Sequence, residues 1–262
     1  MSGTIYAKIG ISHSEITLSN DNLTADSTTF SSYRTCLSTI SKTSGKWYWE
    51  AKADRIGNEL LTGICTASQS LTSYPGQSGT DGYSWFNGGR YYRDGTYTSG
   101  TSFVANDILM FALDLDSGKL WFGKNGTWNQ GDPANDLLPV FSGIASANGW
   151  HACPGGLTSS QITMNFGQQP FLYSVPLGFN EGLFDASYQI MGVVRENGIP
   201  VIRTLRAYRR DNGALLSQIT SDSNGHYTFD LLYGGHVYVV ALDDDYGADF
   251  NALIFDKIIP TE

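Results

Sequence analysis

Short runs of alternating or aromatic-rich residues follow one another through the first two thirds of the chain, and turn-forming residues bound each run. An alternation with a period of two residues is typical of a strand that buries one face. No helix-length window between Ser12 and Phe179 shows an apolar period of about 3.6 residues. The pattern therefore predicts an all-β fold. The predicted strands span residues 46–51, 60–66, 81–86, 107–113, 119–122 and 161–165.

A second series of strands, with shorter spacing, begins at residue 190. Between the two series the alternation fails, and Pro170, Pro176, Gly178 and Gly182 interrupt the chain. We therefore predict an N-terminal arm over residues 1–12, a large β-sandwich over 13–186 and a smaller β-sandwich over 187–262. The strands of the second series are predicted at 190–194, 205–209, 215–220, 227–231 and 237–242.

Three turn sequences are predicted to form hairpins. Residues 114–118, 211–213 and 222–225 combine Asp or Asn with Gly, and these residues adopt the positive φ angles that tight hairpin bends need. Ahead of the first sandwich, the arm at 1–12 is short enough to add one extended strand to a neighbouring sheet or subunit.

Composition and charge narrow the class of partner. The 262 residues include 13% aromatic residues and 30 glycines, which suits short strands joined by tight turns. The formal net charge of −9 argues against nucleic acid, because phosphate binding needs clustered Lys and Arg. No apolar run approaches the ~18 residues of a spanning helix, so we expect no membrane insertion.

Signatures of catalysis and of cofactor binding are absent from the sequence. Neither a GxSxG nucleophile motif nor a phosphate-cradling glycine motif occurs. Cys36, Cys65 and Cys153 lack CxxC spacing and are expected to be reduced and packed. The four histidines are scattered without the spacing of metal ligands. We therefore predict no cofactor and no enzymatic activity.

One weak candidate for a metal site lies near the C-terminus. Asp243, Asp244, Asp245 and Asp249 form the densest group of carboxylates, which offers oxygen ligands to a hard cation. A solvated strand end explains the same residues equally simply, and we favour it.

Several motifs of the first module resemble those of the SPRY family, and they occur in the family's order. The resemblance covers residues 14–179 and implies a bent two-sheet β-sandwich. The motifs are Gly-Lys-Trp-Tyr-Trp-Glu at 45–50, Thr-Gly-Ile-Cys at 62–65, Gly-Tyr-Ser-Trp-Phe at 82–86, the two runs 107–114 and 118–126, Leu-Pro at 138–139, and Met-Asn-Phe-Gly at 164–167 with Pro-Phe at 170–171.

Predicted loops of this module are rich in aromatic residues and Arg, which dominate contact energies in protein interfaces. Glycine turns flank 90–93, so at least one of Tyr91 and Tyr92 should point outward. SPRY relatives bind ligands at the loops of one rim, and this resemblance implies a rim here. The candidate binding residues are Tyr33, Arg34, Tyr74, Arg90, Tyr91, Tyr92, Arg93, Tyr97 and Trp128.

The second module is similar to the transthyretin-like, carboxypeptidase-regulatory type of β-sandwich, through the stretches at 192–200, 220–229 and 238–241. Its end at 241–256 resembles the C-terminal stretch of tailed-bacteriophage proteins, and the segment 18–24 ahead of 45–50 is similar to SPRY modules in phage genomes. The combination implies a phage virion protein, made in the host cytoplasm and placed at the tail tip, at a fibre or as a capsid decoration.

The expected partners are other virion proteins and a host surface protein or glycan. A homo-oligomer is expected, since virion appendages occupy symmetric positions. Two alternatives remain open at this point. One is a glycan-degrading enzyme of the virion, and the other is a cellular adaptor that binds peptides through a SPRY rim.

Overall fold

The computed structural model describes residues 3–27, 32–145, 148–231, 235–243 and 253–260. Within these ranges the chain is built of strands, and the one helical element is a 3₁₀ turn at Pro133–Asn135. The predicted all-β fold class is therefore confirmed. The chain divides into two compact units, Tyr6–Phe184 and Met1–Ile5 with Asp185–Glu262.

The strands up to the end of the large unit are numbered in chain order. They are β1 Gly3–Tyr6, β2 Ile9–Ser12, β3 Ile16–Ser19, β4 Thr24–Ser27, β5 Arg34–Ser38, β6 Ser41–Lys42, β7 Lys46–Arg55, β8 Leu60–Thr66, β9 Gly82–Phe86, β10 Arg90–Arg93, β11 Thr96–Ser99, β12 Ile108–Asp114, β13 Lys119–Lys124, β14 Thr127–Trp128, β15 Phe141–Ser142, β16 Trp150–Ala152, β17 Gly155–Gly156, β18 Ser160–Asn165 and β19 Asn180–Glu181.

Two sheets of nine strands form the large unit. The first sheet has the order β11-β10-β9-β8-β17-β5-β2, and β16 joins it beside β8 and β6. The second sheet has the order β14-β13-β12-β7-β18-β4-β3, with β15 against β13 and a short parallel strand, β19, against β7. Of the strands assigned to the arm at 1–12, β2 pairs with β5 in the first sheet.

The core of the large unit lies between these sheets. Strand alternation sends Trp85 and Tyr91 from the first sheet and Trp49, Phe111 and Phe122 from the second into one buried cluster. The rings of Trp49 and Phe111 stack with centroids 5.2 Å apart. Burial of these large rings removes much apolar surface from water, which stabilises the sandwich.

The outer face of the second sheet is covered as well. Tyr48, Met110, Ala112 and Trp121 point away from the main core and pack under the segment 171–179, which we call the strap. Glu50, only 3% exposed, holds the strap because its carboxylate accepts hydrogen bonds from the backbone N–H groups of Leu172 (3.0 Å) and Tyr173 (2.9 Å). This explains why β12 is buried on both faces.

Two of the three predicted hairpins have the predicted form. Gly118, with φ +68°, turns β12 into β13, and the buried carboxylate of Asp114 accepts hydrogen bonds from the N–H groups of Asp116 and Ser117 (3.0 Å each). Residues 211–213 connect two paired strands in the small unit. The turn at 222–225 is present, but the prediction of a hairpin there is wrong, since the strands on its two sides belong to different sheets.

The strands of the small unit are β20 Phe184–Val193, β21 Arg195–Glu196, β22 Ile199–Pro200, β23 Thr204–Arg209, β24 Leu215–Thr220, β25 His226–Leu231, β26 Val237–Ala241 and β27 Leu253–Ile258. They form the sheets β24-β23-β26-β27 and β1-β20-β25 and the ribbon β21-β22. Ile190, Leu205, Phe229, Val237 and Val239 make a core between the two larger sheets. The last strand, β27, was not predicted from the sequence.

The three cysteines are buried and free, as expected for packed thiols. Cys65 and Cys153 pack with Leu37 behind the first sheet, and burial raises the pKa of the Cys36 and Cys153 thiols. A raised pKa leaves the thiols protonated and therefore poor nucleophiles near neutral pH.

His151 on β16 makes the stability of the large unit depend on pH. Burial lowers the pKa of its imidazole below the ordinary 6.5, and the Nδ1 hydrogen bond to the carbonyl oxygen of Ser38 (2.7 Å) only partly opposes this. The unfolded state therefore takes up the proton first. We expect the contribution of His151 to the free energy of unfolding to be fully present above pH 6.5 and to be lost as the pH drops below it towards the folded-state pKa.

Urea unfolding followed by tryptophan fluorescence between pH 5 and pH 8 tests this prediction. All six tryptophans lie between residues 47 and 150, so the signal reports the large unit alone. His151→Asn retains a side-chain donor towards Ser38 but cannot titrate. The unchanged protein should lose stability relative to His151→Asn as the pH falls, and parallel pH profiles would contradict the prediction.

Candidate functional site

The hairpins β9-β10 and β10-β11 sort their side chains between the two faces of the first sheet. Trp85 on β9 faces Tyr91 on β10, and both point into the core. The neighbouring residues point the opposite way, so Phe86 pairs with Arg90, and Tyr92 pairs with Tyr97 on β11. Strand alternation therefore places Phe86, Arg90, Tyr92 and Tyr97 together on the outer face.

Two further tyrosines join this group from other parts of the chain. The loop between β8 and β9 is anchored on β5, where Thr35 donates its backbone N–H to the carbonyl oxygen of Leu71 (3.1 Å). This loop brings Tyr74 within 5.1 Å of Tyr92 and 5.2 Å of Phe86, measured between ring centroids. Tyr33, just before β5, lies 4.9 Å from Tyr74.

We call the resulting group the outer aromatic cluster. It consists of Tyr33, Tyr74, Phe86, Tyr92 and Tyr97 together with Arg90 and Glu59. Phe86 is fully covered at its centre, whereas Tyr97 at the sheet edge is 56% exposed. The cluster is therefore a surface patch with a closed base and an open rim.

Glu59 fixes the polar part of the outer aromatic cluster. Its carboxylate pairs with the Arg90 guanidinium and accepts a hydrogen bond from the Tyr33 hydroxyl. Arg90 lies over the rings of Phe86 and Tyr92, 5.3 and 5.7 Å from their centroids, and donates to the Tyr92 hydroxyl (3.3 Å). These contacts hold Arg90 in one conformation, which reduces the entropy lost on binding.

Burial raises the pKa of the Tyr33 and Tyr74 phenols, and the charge of Arg90 partly opposes the effect at Tyr33. Both hydroxyls are therefore protonated at neutral pH, so that Tyr33 can donate to Glu59 and Tyr74 can act as a hydrogen-bond donor. This combination suits a binding surface, because the aromatic rings bury apolar surface against a partner and the hydroxyl groups form directional hydrogen bonds with it.

The structure brings Tyr33, Tyr74, Arg90, Tyr92 and Tyr97 together, as the rim prediction requires. Glu59 was missed, because a single Glu in a turn has no sequence signal. Its partners are 26 and 31 residues away, and only the fold brings them together.

The remaining predicted rim residues lie elsewhere. Tyr91 is 4% exposed and its hydroxyl accepts from the backbone N–H of Thr101 (3.0 Å), so its assignment to the rim is corrected to the core. Trp128 packs near Tyr48 on the outer face of the second sheet, on another surface. Arg34 directs its guanidinium to Glu15 (2.6 Å), and Arg93 lies over Tyr83 at the far end of β10.

The candidate metal site falls largely outside the described residues, since of its four carboxylates only Asp243 is described. In the described parts of the chain, no group of three or more His, Cys, Asp or Glu side chains is arranged to hold a metal ion. The described segments likewise include no helix with the length and apolarity needed to cross a membrane.

Several solved structures are similar to this chain. The SPRY domain of human HERC1 aligns over its whole length with 64% of this chain, with a TM-score of 0.49 and 16% sequence identity. The alignment with the PSpry domain of TRIM65 includes 92% of that domain and 62% of this chain, with a TM-score of 0.47 and 16% sequence identity. The alignment with another human SPRY domain includes 98% of that domain and 60% of this chain, with a TM-score of 0.46 and 14% sequence identity. No protein-family model and no curated protein matches the sequence.

Proposed function

We propose that this chain is a non-catalytic binding protein whose large unit is a SPRY-like module that contacts a partner protein through the outer aromatic cluster. The observation that carries the proposal is the fixed conformation of Arg90, held by Glu59 and two aromatic rings beside exposed tyrosines. Arg and Tyr in an ordered patch are the residue types that contribute most binding energy per contact.

The edge of the first sheet supports the same proposal. β11 ends the sheet, and all four of its residues are exposed. An edge strand presents backbone N–H and C=O groups that an extended segment of a partner can pair with. Tyr97 lies on this strand, so such a segment would touch the outer aromatic cluster at the same time.

The finer proposal is that the chain is a bacteriophage virion protein at the tail tip, at a fibre or on the capsid. Its support is the resemblance of residues 18–24 ahead of 45–50, and of 241–256, to phage sequences, and the tolerance of a sandwich core for varied surface residues. In this proposal the small unit is transthyretin-like and docks or spaces the large one.

Mass spectrometry of density-gradient-purified phage particles tests the finer proposal. The chain should be present at a fixed number of copies per particle. Its absence from intact particles would contradict the virion role, while leaving partner binding by the outer aromatic cluster open to its own test.

Photo-crosslinking tests the contact surface. A photoreactive phenylalanine analogue at position 97 should cross-link one partner protein, whereas the same analogue at Tyr238 in the small unit should not capture that partner. The Arg90→Ala/Tyr92→Ala double variant should then bind the captured partner about 100-fold more weakly, because both residues are of hot-spot type. Tyr238→Ala is the matched control, and a double variant that binds as tightly as this control would contradict the proposal.

A further inference from the structure

A cavity of about 420 Å³ opens in the large unit away from the outer aromatic cluster. It lies at the end of the β9-β10 pair where Tyr83 faces Arg93, whereas Phe86 and Arg90 face each other at the opposite end. The side chains that line it include Asp81, Tyr83, Arg93, Asp94, Asn148 and Trp150. A cavity of this size is within the range of about 300–1,000 Å³ that small-ligand sites occupy.

The aromatic rings of the cavity are fixed in place. Tyr83 and Trp150 are almost fully buried and lie 5.5 Å apart between centroids. The Trp150 indole donates to the carbonyl oxygen of Ala145 (2.7 Å). Because neither ring can turn away, the small exposed parts of the two rings form a narrow apolar floor before any ligand binds.

The polar groups around this floor form few hydrogen bonds or ion pairs with other residues of the chain. Among the described residues, the carboxylates of Asp81 and Asp94 and the amide of Asn148 have no hydrogen-bond or ion-pair partner. Arg93 donates to the carbonyl oxygen of Ser142 (3.2 Å) and lies over the Tyr83 ring, but within the described ranges it forms no ion pair. Burial raises the pKa of the Tyr83 phenol, while the charge of Arg93 opposes this effect and that of Asp81 adds to it.

The charges of the lining select the class of ligand. An anionic ligand would face the two carboxylates of Asp81 and Asp94, and a cationic ligand would have to avoid Arg93, so neither charge matches the whole lining. A neutral ligand with many hydroxyl groups avoids both conflicts. Hydroxyls donate to the two carboxylates and accept from the guanidinium and the Asn148 amide, which matches the mixed set of donors and acceptors.

We infer that this cavity is a binding site for a single neutral sugar ring, whose hydroxyls bond to Asp81, Arg93, Asp94 and Asn148 while its CH groups lie against the small exposed parts of Tyr83 and Trp150. The site is separate from the outer aromatic cluster. The sugar-site inference therefore does not rest on the proposed function, and each can be tested without the other.

Two-dimensional ¹H–¹⁵N NMR of the full chain tests the inference, with D-glucose, D-galactose, D-mannose and N-acetyl-D-glucosamine as separate probes at millimolar concentrations. At least one probe should shift the Trp150 indole N–H signal in a saturable way. Asp81→Asn, Asp94→Asn and Arg93→Gln should each weaken that binding about tenfold or more, since each replaces a charge-assisted hydrogen bond.

Asp136→Asn is the matched control for Asp94→Asn. Both aspartates are exposed and have positive φ, +58° at Asp136 and +48° at Asp94, so both substitutions place Asn in the same backbone conformation. Asp136 differs in its ion pair with Lys119 (2.5 Å), which lies outside the cavity lining. The control and the Arg90→Ala/Tyr92→Ala variant should bind the sugar as the unchanged protein does. The inference is overturned if no probe gives a saturable shift, if Asp94→Asn binds as tightly as the control, or if only glycine or L-lysine saturates the site.

Discussion

Replacement of Glu50 by alanine is expected to lower the free energy of unfolding of the large unit by about 3 kcal/mol, one of the two largest effects expected for a single substitution here. The Glu50 carboxylate accepts hydrogen bonds from the Tyr48 hydroxyl (2.8 Å) and from the N–H groups of Leu172 and Tyr173. Alanine would leave all three donors without this acceptor in a buried place, and each lost partner costs free energy.

Glu50→Ala should first disturb the outer face of the second sheet. Glu50 holds the strap at 171–179 over the outer face of the second sheet, so the variant should expose Trp121 and Trp128. Urea unfolding by tryptophan fluorescence measures the loss of stability, and limited proteolysis near residue 172 measures release of the strap.

Tyr48→Phe is the matched control for Glu50→Ala. It removes one of the three hydrogen bonds and leaves the strap attached, so it should cost about 1 kcal/mol. Equal stability of the two variants would show that Glu50 does not hold the strap.

The strands of the large unit could be predicted closely from the sequence because alternation is a local signal. β8 begins and ends at the predicted residues, and β12 and β13 differ from prediction by one and two residues at their ends. The strap could not be predicted, since 171–179 has no regular period. Its position follows from the buried carboxylate of Glu50, about 120 residues earlier in the chain.

The misplacement of Tyr91 has a different cause. The flanking glycine turns favour a loop at 90–93, although these residues form a strand between two turns. The Asp94-Gly95 pair, with φ +48° and +73°, is the turn sequence that closes a two-residue hairpin. Interpreted as a hairpin turn like 211–213, this pair sets the alternation and places Tyr91 inside and Tyr92 outside.

The grouping of the outer aromatic cluster depends on the sheet order. Tyr33, Tyr74 and Tyr92 belong to three separate segments, and their rings meet only because the loop before β9 folds back over the first sheet. Trp128 is likewise an aromatic residue beside a glycine turn, yet its strand, β14, belongs to the second sheet. Sequence composition can therefore identify contact residues without showing which of them share a surface.

Replacement of Gly63 by alanine is expected to destabilise the large unit by about 3 kcal/mol, because it overpacks the contact between β8 and β9. A Cβ at Gly63 would overlap the carbonyl oxygen of Tyr83 and lie 2.8 Å from the Cα of Ser84. Neither atom can move away without separating the two strands, since both belong to the backbone of β9.

The same substitution tests whether the outer aromatic cluster depends on this sheet. Displacement of β9 would shift Phe86, on which Tyr74 and Tyr92 pack, so partner binding should weaken along with stability. Gly88→Ala is the matched control, because a Cβ there meets only the Arg90 side chain at 3.8 Å. Urea unfolding measures stability, and binding of the photo-captured partner measures the cluster. If Gly63→Ala were as stable as Gly88→Ala, β8 and β9 would have to be less closely packed than their register indicates.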